Sequence, residues 1–412
     1  MARVAIIMAS FPYGTPEQFF EAEVPVWASS GHEVTLFPMR SGGPMRAVPD
    51  GVNVSTALAV LDTSRRRGTP TNLVLAACDP STLREVRQLA KDRKFSLRGA
   101  AEIISTEAQV RYLRAKLEEA AARNGGFDLV YSYWHGPAAY AAASAARSGS
   151  LISSVVARAH RVDLYEESRS SGHHPRKRHY QRFIDLHAPI SASGAKYLES
   201  TFGVSPENIY LSRLGCQVRG LRARTSGEGR LHLLSVSFVT PIKRVDSILE
   251  AVALVARLNP GTHVEWTHLG SGPLFSALQE KVENLTAKNL TVNLPGQVPH
   301  ADVAKYLENQ PVDVFINFST SEGVPVSIME AMSFGVPAVA PAVGGVSEIV
   351  GDGIGTLLSA DASITDLAEA VSHLSLQAKS AAVRDSAAQR IALTYDAKHN
   401  FEDFISEVTS SR

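Results

Sequence analysis

Residues 315–345 read FINFSTSEGVPVSIMEAMSFGVPAVAPAVGG, and this stretch decides the fold. An apolar strand ends near Phe318. A Ser/Thr/Gly loop follows, and Pro325 stands where a helix begins, a position that tolerates proline because that N–H has no helical partner. The helix stops at Gly335, with Pro337 beyond it. A second strand, PAVAPA, runs into a second glycine turn, Gly344-Gly345, and a short helix, VSEIVG. Strand, loop, helix, repeated, is the rhythm of a parallel sheet.

The rhythm extends outward. LHLLSVSFV, HVEWTHLG, LTVNLPG and VDVFINF are strands, and VDSILEAVALVARL, LFSALQEKVENL and ADVAKYLENQ are the helices between them. In the first half, strands are expected at Arg3–Ala9, His32–Phe37, Asp128–Tyr133, Ser154–Ala159 and Ala188–Ala192. Helical stretches are expected at Phe19–Ser29, closed by Gly31, and across Ser81–Arg123. Residues 62–72 are polar, with Arg65, Arg66 and Arg67 in a row. The pattern lapses at QVRGLRARTSGEGR, which reads as a linker. The expected organisation is therefore a first Rossmann-like domain over 1–218, a linker over 219–228 and a second Rossmann-like domain over 229–396. A last helix, about 397–412, is expected to pack back on the first domain. In such sheets ligands sit beyond the carboxyl ends of the strands, and the cleft between two halves is the default site.

Composition narrows the class. The chain has 412 residues, and 41 Lys plus Arg balance 41 Asp plus Glu, so total charge gives no argument for nucleic acid binding. Its two cysteines, Cys78 and Cys216, form neither a disulfide framework nor a zinc-ligand spacing, which fits a reducing compartment. The opening run RVAIIMASFP is too short for a signal h-region, and no run long enough to span a bilayer occurs. A cytoplasmic protein is expected, with a peripheral contact at the membrane's inner face as an option.

The 315–345 pattern aims two loops and a helix N-terminus at one place. N–H groups and the positive helix end there favour a phosphate. Glycines 323, 344 and 345 let the backbone approach a ligand closely. Glu322 lies just before the helix and Glu330 about five residues into it, so roughly 8 Å along the axis at ~1.5 Å per residue. One carboxylate is thus placed to meet a sugar and the other to meet the hydroxyls of a vicinal diol.

SEGVPVSIMEAMSFGVPAVAPAVGGVSEIV resembles the E-x7-E region of family 4 glycosyltransferases. The resemblance continues through VSFVTPIKRVDSILEA, HLGSGPL, LPGQVPHADVAKYL and GDGIGTLL, and more loosely through FPYGTPEQF, YSYWHG and RAHRVDLYEE. It is nearest to the branch that builds bacterial surface polysaccharides and similar glycoconjugates. It implies an α/β fold of the GT-B type, with two Rossmann-like domains facing each other across a cleft. It also implies a retaining, metal-independent transferase that uses a nucleoside-diphosphate sugar as co-substrate and no cofactor. The implied acceptor is a hydroxyl on a lipid-linked glycan, a polysaccharide or a small molecule.

The resemblance also assigns residues. Lys243 would pair with the donor diphosphate and Glu322 with donor-sugar hydroxyls. Gly323, Val324 and Pro325 would frame phosphates and sugar, Glu330 would hold the ribose, and the main chain at Gln297 and Val298 would frame the base. Gly14 would lie in the loop facing the diphosphate and acceptor. Phe238 is a departure, because many relatives carry arginine there; Arg244 is the adjacent cation.

On the acceptor side several residues keep two readings. His160 either stands beside the reacting sugar or is a buried histidine bonded to backbone. His135 is either structural or on the acceptor side, and Asp163 and Tyr165 either shape the acceptor pocket or cap the next helix. The run HHPRKRH is either a solvated face or a contact for a lipid-linked diphosphate or anionic membrane.

Other classes lose their signatures. GSGPLF places Phe275 where a dinucleotide fingerprint needs its third glycine. G-x-S-x-G is absent, as is the Asp-x-Asp pair of metal-dependent GT-A transferases. A sugar-nucleotide epimerase of the same architecture and a non-catalytic nucleotide-sugar-binding protein remain as alternatives.

Overall fold

The computed structural model describes residues 1–14, 17–59 and 69–410. The arginines at 65–67, and residues 411–412 of the expected last helix, lie outside the described residues.

The strands are β1 (Arg3–Met8), β2 (Glu33–Pro38), β3 (Val52–Val54), β4 (Phe127–Ser132), β5 (Ile152–Ala159), β6 (Leu186–Pro189), β7 (Arg230–Val236), β8 (His263–Leu269), β9 (Leu290–Gly296), β10 (Val314–Ile316), β11 (Ala338–Pro341) and β12 (Gly355–Leu358). They form two six-stranded sheets, ordered β3-β2-β1-β4-β5-β6 and β12-β11-β10-β7-β8-β9. Every pairing is parallel. Numbered from its own start, the second sheet is 6-5-4-1-2-3. Both sheets therefore carry the 3-2-1-4-5-6 order of dinucleotide-binding folds, whose ligand crevice opens where the order reverses. The reversals fall between β1 and β4 and between β7 and β10.

Parallel strands are buried on both faces, so they read as unbroken apolar runs. In β1, Val4, Ile6 and Met8 join Trp27 and Tyr131 on one face, while Ala5 and Ile7 join Leu113 and Val130 on the other. The second sheet builds its core from Leu233, Trp266, Val314 and Val339 with the helix Val245–Leu258. The short strand β3 was not legible in the sequence. Its few residues show no alternation long enough to count.

The chain divides into two compact units, Met1–Arg213 with Phe401–Arg412, and Leu214–Asn400. In the last helix, Ala397–Thr409, Phe404, Ile405 and Val408 enter the core of the first unit. The ring of Phe404 lies 5.1 Å from that of Tyr131. The break falls at Arg213–Leu214, earlier than the expected linker, and residues 219–228 are not a free connection. Ala223 donates its N–H to Phe334 (2.9 Å) and accepts from buried Arg384 (2.6 Å), and Ser226 donates to Asp313 (3.0 Å). A polar, glycine-containing segment thus reads as a linker although its backbone groups are bonded into the second unit. Gly215 is required by a close approach: a Cβ there would lie 2.5 Å from the Tyr395 carbonyl oxygen.

Candidate functional site

In the second unit the loops after β7 and β10 meet at the reversal of strand order. Thr320 donates its N–H to the Ile242 carbonyl at 2.9 Å, tying one loop to the other. This tie brings Lys243 to Glu322. The ammonium donates to Glu322 Oε1 at 2.7 Å, and Asn317 Nδ2 donates to the same oxygen at 2.9 Å. Glu322 is buried, while the Lys243 side chain keeps 26 % of its exposure. Among the described residues no hydrogen bond reaches Oε2 of Glu322. The carboxylate is held by one oxygen and presents the other.

Glycines bring the loops this close. A Cβ on Gly344, whose φ is +56°, would lie 1.9 Å from the Glu322 carbonyl oxygen. The Gly345 N–H donates to the Gly323 carbonyl at 2.6 Å. The loop after β8 packs in the same way, since a Cβ on Gly270 would lie 1.9 Å from the Ser237 carbonyl oxygen. Left-handed or crowded positions of this kind accept only glycine without displacement.

Pro325 caps the helix Val326–Ser333, and Val324 is buried beneath it. Glu330 lies on that helix, and its Oε1 is 2.6 Å from Nε2 of His300, at the start of the helix His300–Asn309. Val298, half-buried, is two residues before His300. The structure therefore gathers Lys243, Glu322, Gly323, Val324 and Pro325 in one place, and joins Glu330 to the loop that carries Val298. Asn317 and His300 belong with these groups and were missed. A polar residue closing an apolar strand was the available signal for Asn317. Nothing local marked His300, whose contact is with a distant helix.

Phe238 is 62 % exposed, so its side chain fills no cationic role from within. Arg244, the adjacent cation, has its Nη2 buried with no hydrogen-bond partner among the described residues. Its Nε donates to the Phe318 carbonyl at 2.7 Å and its guanidinium lies 3.8 Å from the Phe318 ring centre.

In the first unit the loops after β1, β4 and β5 carry the other expected residues. The N–H of Gly14 is spent on the Pro44 carbonyl at 3.0 Å. His160 follows β5 and is buried; among the described residues neither ring nitrogen has a hydrogen-bond partner, and Nδ1 lies 3.8 Å from Asp163 Oδ2. Its ring centre lies 4.7 Å from Trp134 and 4.9 Å from Tyr133. Asp163 accepts the N–H of His160 at 2.6 Å and of His135 at 2.8 Å, so its carboxylate clamps two loops together. The Tyr165 hydroxyl donates to Ser193 at 3.3 Å, and its ring packs on Tyr197 at 4.6 Å.

His135 is fully enclosed. Its Nε2 lies 2.8 Å from His187 Nδ1 and its Nδ1 is 3.0 Å from the Lys177 ammonium. Burial, then the Lys177 charge, hold its pKa well below that of an ordinary imidazole. Burial likewise lowers Lys177 to about 7 and His187 to about 3. Lys177 belongs to the run expected as a solvated or membrane-facing surface, and the run is largely internal. Arg176 is buried between Glu107 (2.9 Å) and Glu85 (3.0 Å), and His173 pairs with Glu85 at 2.8 Å. Partners from the helices Pro80–Lys91 and Leu97–Arg123 draw these charges inward, which corrects the expectation of a basic face. Among the described residues no helix is long and apolar enough to cross a membrane.

Residues 230–377 match the family model described as glycosyl transferases group 1. WcaL of Salmonella typhimurium, named for colanic acid biosynthesis, is 30% identical over 223 residues, 52% of this chain and 53% of its own. The amylovoran biosynthesis glycosyltransferase AmsK of Erwinia amylovora is 26% identical over 208 residues, 48% of this chain and 50% of its own. The matched stretch thus spans about half the length of these curated relatives. Among solved structures, the lipopolysaccharide outer core galactosyltransferase WaaB superposes with a TM-score of 0.68 at 16% identity, over 99% of both chains. HepE of Anabaena in complex with UDP gives 0.65 at 18% identity, over 100% of both chains. The fold is GT-B.

Proposed function

We propose that this GT-B chain, whose second unit is a group 1 glycosyl transferase domain, is a retaining glycosyltransferase. It moves a sugar from a nucleoside-diphosphate sugar to a hydroxyl acceptor during synthesis of a surface polysaccharide or related glycoconjugate. The observation that carries the reading is the Lys243–Glu322–Asn317 cluster, at the point where the strand order of the second sheet reverses.

The chemistry needs charge on the leaving diphosphate. One N–H of the Lys243 ammonium is spent on Glu322, and the others are available to phosphate oxygens. A point charge there stabilises the departing group as the glycosidic C–O bond breaks. Glu322 Oε2 accepts from donor-sugar hydroxyls. Glu330 exchanges His300 for the ribose diol, and the backbone at Val298 frames the base. The acceptor oxygen attacks the face the phosphate leaves, and the phosphate takes its proton. No pair of flanking carboxylates is required, unlike in a retaining glycosidase. His160 is the residue of the first unit assigned to the reacting sugar. Neither a metal ion nor a cofactor is invoked. The names of the relatives favour transfer over epimerisation.

The test is a panel of UDP-, GDP-, ADP- and dTDP-sugars, scored for thermal stabilisation and slow hydrolysis. UDP-sugars come first because HepE holds UDP. One nucleotide series is expected to stabilise the protein and to be hydrolysed slowly without acceptor. Conversion to an epimeric sugar would overturn the reading in favour of an epimerase, and binding without any turnover would leave a sugar-nucleotide-binding protein.

A further inference from the structure

Glu17 belongs to none of the assignments above, yet it is the most heavily bonded carboxylate in the first unit's loops. It follows β1, is buried, and sits at φ +61°, a left-handed conformation uncommon for a residue with a Cβ. Its Oε2 accepts the N–H groups of Ser10 (2.6 Å) and Phe11 (2.7 Å) and the Ser10 hydroxyl (3.2 Å). Its Oε1 accepts the Ala9 N–H (2.9 Å) and the indole N–H of Trp134 (2.6 Å). Three consecutive backbone N–H groups converging on one anion form a nest, and here the chain supplies its own anion.

The indole bond is the part with a consequence. Trp134 is 117 residues away in the loop after β4, and its ring is the nearest aromatic neighbour of His160, at 4.7 Å. Phe19 adds an edge contact to Trp134 at 6.1 Å and lies 6.2 Å from His160. Among the described residues His160 has no side-chain hydrogen bond within ordinary reach; Asp163 Oδ2 stands 3.8 Å from Nδ1 on one side, and the aromatic walls enclose the ring on the others. Of those walls, Trp134 has a polar anchor, and that anchor is Glu17.

We infer that Glu17 is a positioning residue: its carboxylate fixes the loop after β1 and the Trp134 indole as one body, and Trp134 in turn sets the orientation of His160. The chain of contacts runs Glu17 to Trp134 to His160, whose two ring nitrogens are both buried. The catalytic consequence rests on the functional reading above; the geometric one does not. Glutamine at position 17 keeps the shape but turns an NH₂ toward backbone donors, so the nest and the indole bond are not both satisfied.

The experiment uses the full chain labelled with ¹³C-histidine, the His160 ring signal being identified by its loss in His160→Gln. Glu17→Gln is expected to move that signal, because the ring current of Trp134 changes when the indole is released. Trp134→Phe is expected to move it too, and Glu17→Gln in the Trp134→Phe background is expected to add little, as coupling through one intermediary requires. With the donor from the panel, Glu17→Gln is expected to lower kcat at least tenfold with donor KM and UDP affinity by calorimetry within twofold. Glu17→Asp retains the charge and must move the same signal if the glutamine variant fails to fold. An unmoved His160 signal, or fully additive shifts, overturns the inference. A wild-type protein that turns over no nucleotide sugar overturns the functional reading alone, because the resonance measurements stand without activity.

Discussion

The two sheets share one strand order, and each places a glutamate at its reversal, but the two glutamates are used in opposite ways. Glu17 in the first unit is saturated: five donors from its own chain take both oxygens. Glu322 in the second unit is held through Oε1 by Lys243 and Asn317 and keeps Oε2 unspent. The cations divide likewise. The first unit encloses Arg158, Arg176 and Lys177, whereas Lys243 remains partly exposed. The same topology thus yields one reversal closed upon itself and one open to an anion. What distinguishes them is whether side chains of the loops consume the backbone donors.

The comparison breaks most decisively at the open site. Lys243→Ala is expected to reduce transfer by about 10²–10³-fold, the usual cost of removing one pre-set donor to a developing charge. Because loss of Lys243 leaves the buried Glu322 carboxylate with Asn317 as its remaining side-chain partner, the melting temperature is expected to fall by a few degrees as well. Glu322→Ala is expected to abolish transfer to a similar degree. Steady-state kinetics with the donor from the panel, beside a thermal melt, checks both. Near-normal activity in the two variants would remove the open site from the mechanism.

Much of this was legible in sequence, and the reason is periodicity. Most strands and the helix behind Pro325 announce themselves because apolar runs, proline and glycine act locally. The Lys243–Glu322 contact does not, since 79 residues separate the pair and only the adjacency of β7 and β10 joins them. The run HHPRKRH shows the opposite failure. Six cationic or titratable side chains in seven residues read as surface because their partners, Glu85 and Glu107, lie some 70–90 residues upstream. Charge density alone does not report burial when the compensating charges are non-local.

The buried histidines in and around that run make the first unit the more acid-sensitive of the two. His135, His174 and His187 are held below the ordinary imidazole range chiefly by burial, His174 at about 4 and His187 at about 3. As pH falls below about 6.5 the unfolded chain binds protons that these folded rings refuse, so stability falls with them. The second unit holds fewer such rings, His232 and His268. His173, raised to about 9 against burial by its bonds and charge pairing with Glu166 and Glu85, runs the other way and contributes fully below pH 6.5. Hydrogen exchange resolved by segment is expected to show β4–β6 losing protection before β7–β11 between pH 7 and pH 5. Lys177 sharpens the point. Its folded value, about 7, lies below its unfolded one, so its penalty is full under pH 7 and fades toward about pH 10.5. Wild type is therefore expected to gain on Lys177→Met by a few kcal/mol between pH 7 and pH 10 in urea melts. A constant difference would mean the ammonium is not buried in solution.

The smallest expected effect concerns the open site's missing cation. Phe238 is exposed at the end of β7, a few residues before Lys243, and Arg244 is committed to Phe318. Phe238→Arg adds a guanidinium where nothing must be displaced, so stability is expected to change by no more than about 0.5 kcal/mol. If the loop directs position 238 toward the diphosphate, the variant is expected to bind UDP about three- to tenfold more tightly, an added charge–phosphate contact near a solvated surface being worth about 1 kcal/mol. The gain should shrink as salt rises from 50 to 500 mM, because a partly exposed charge is screened within a Debye length of ~10 Å or less. Tightening that ignored salt would point to a packing change, and no tightening would mean that position 238 faces away from the phosphates.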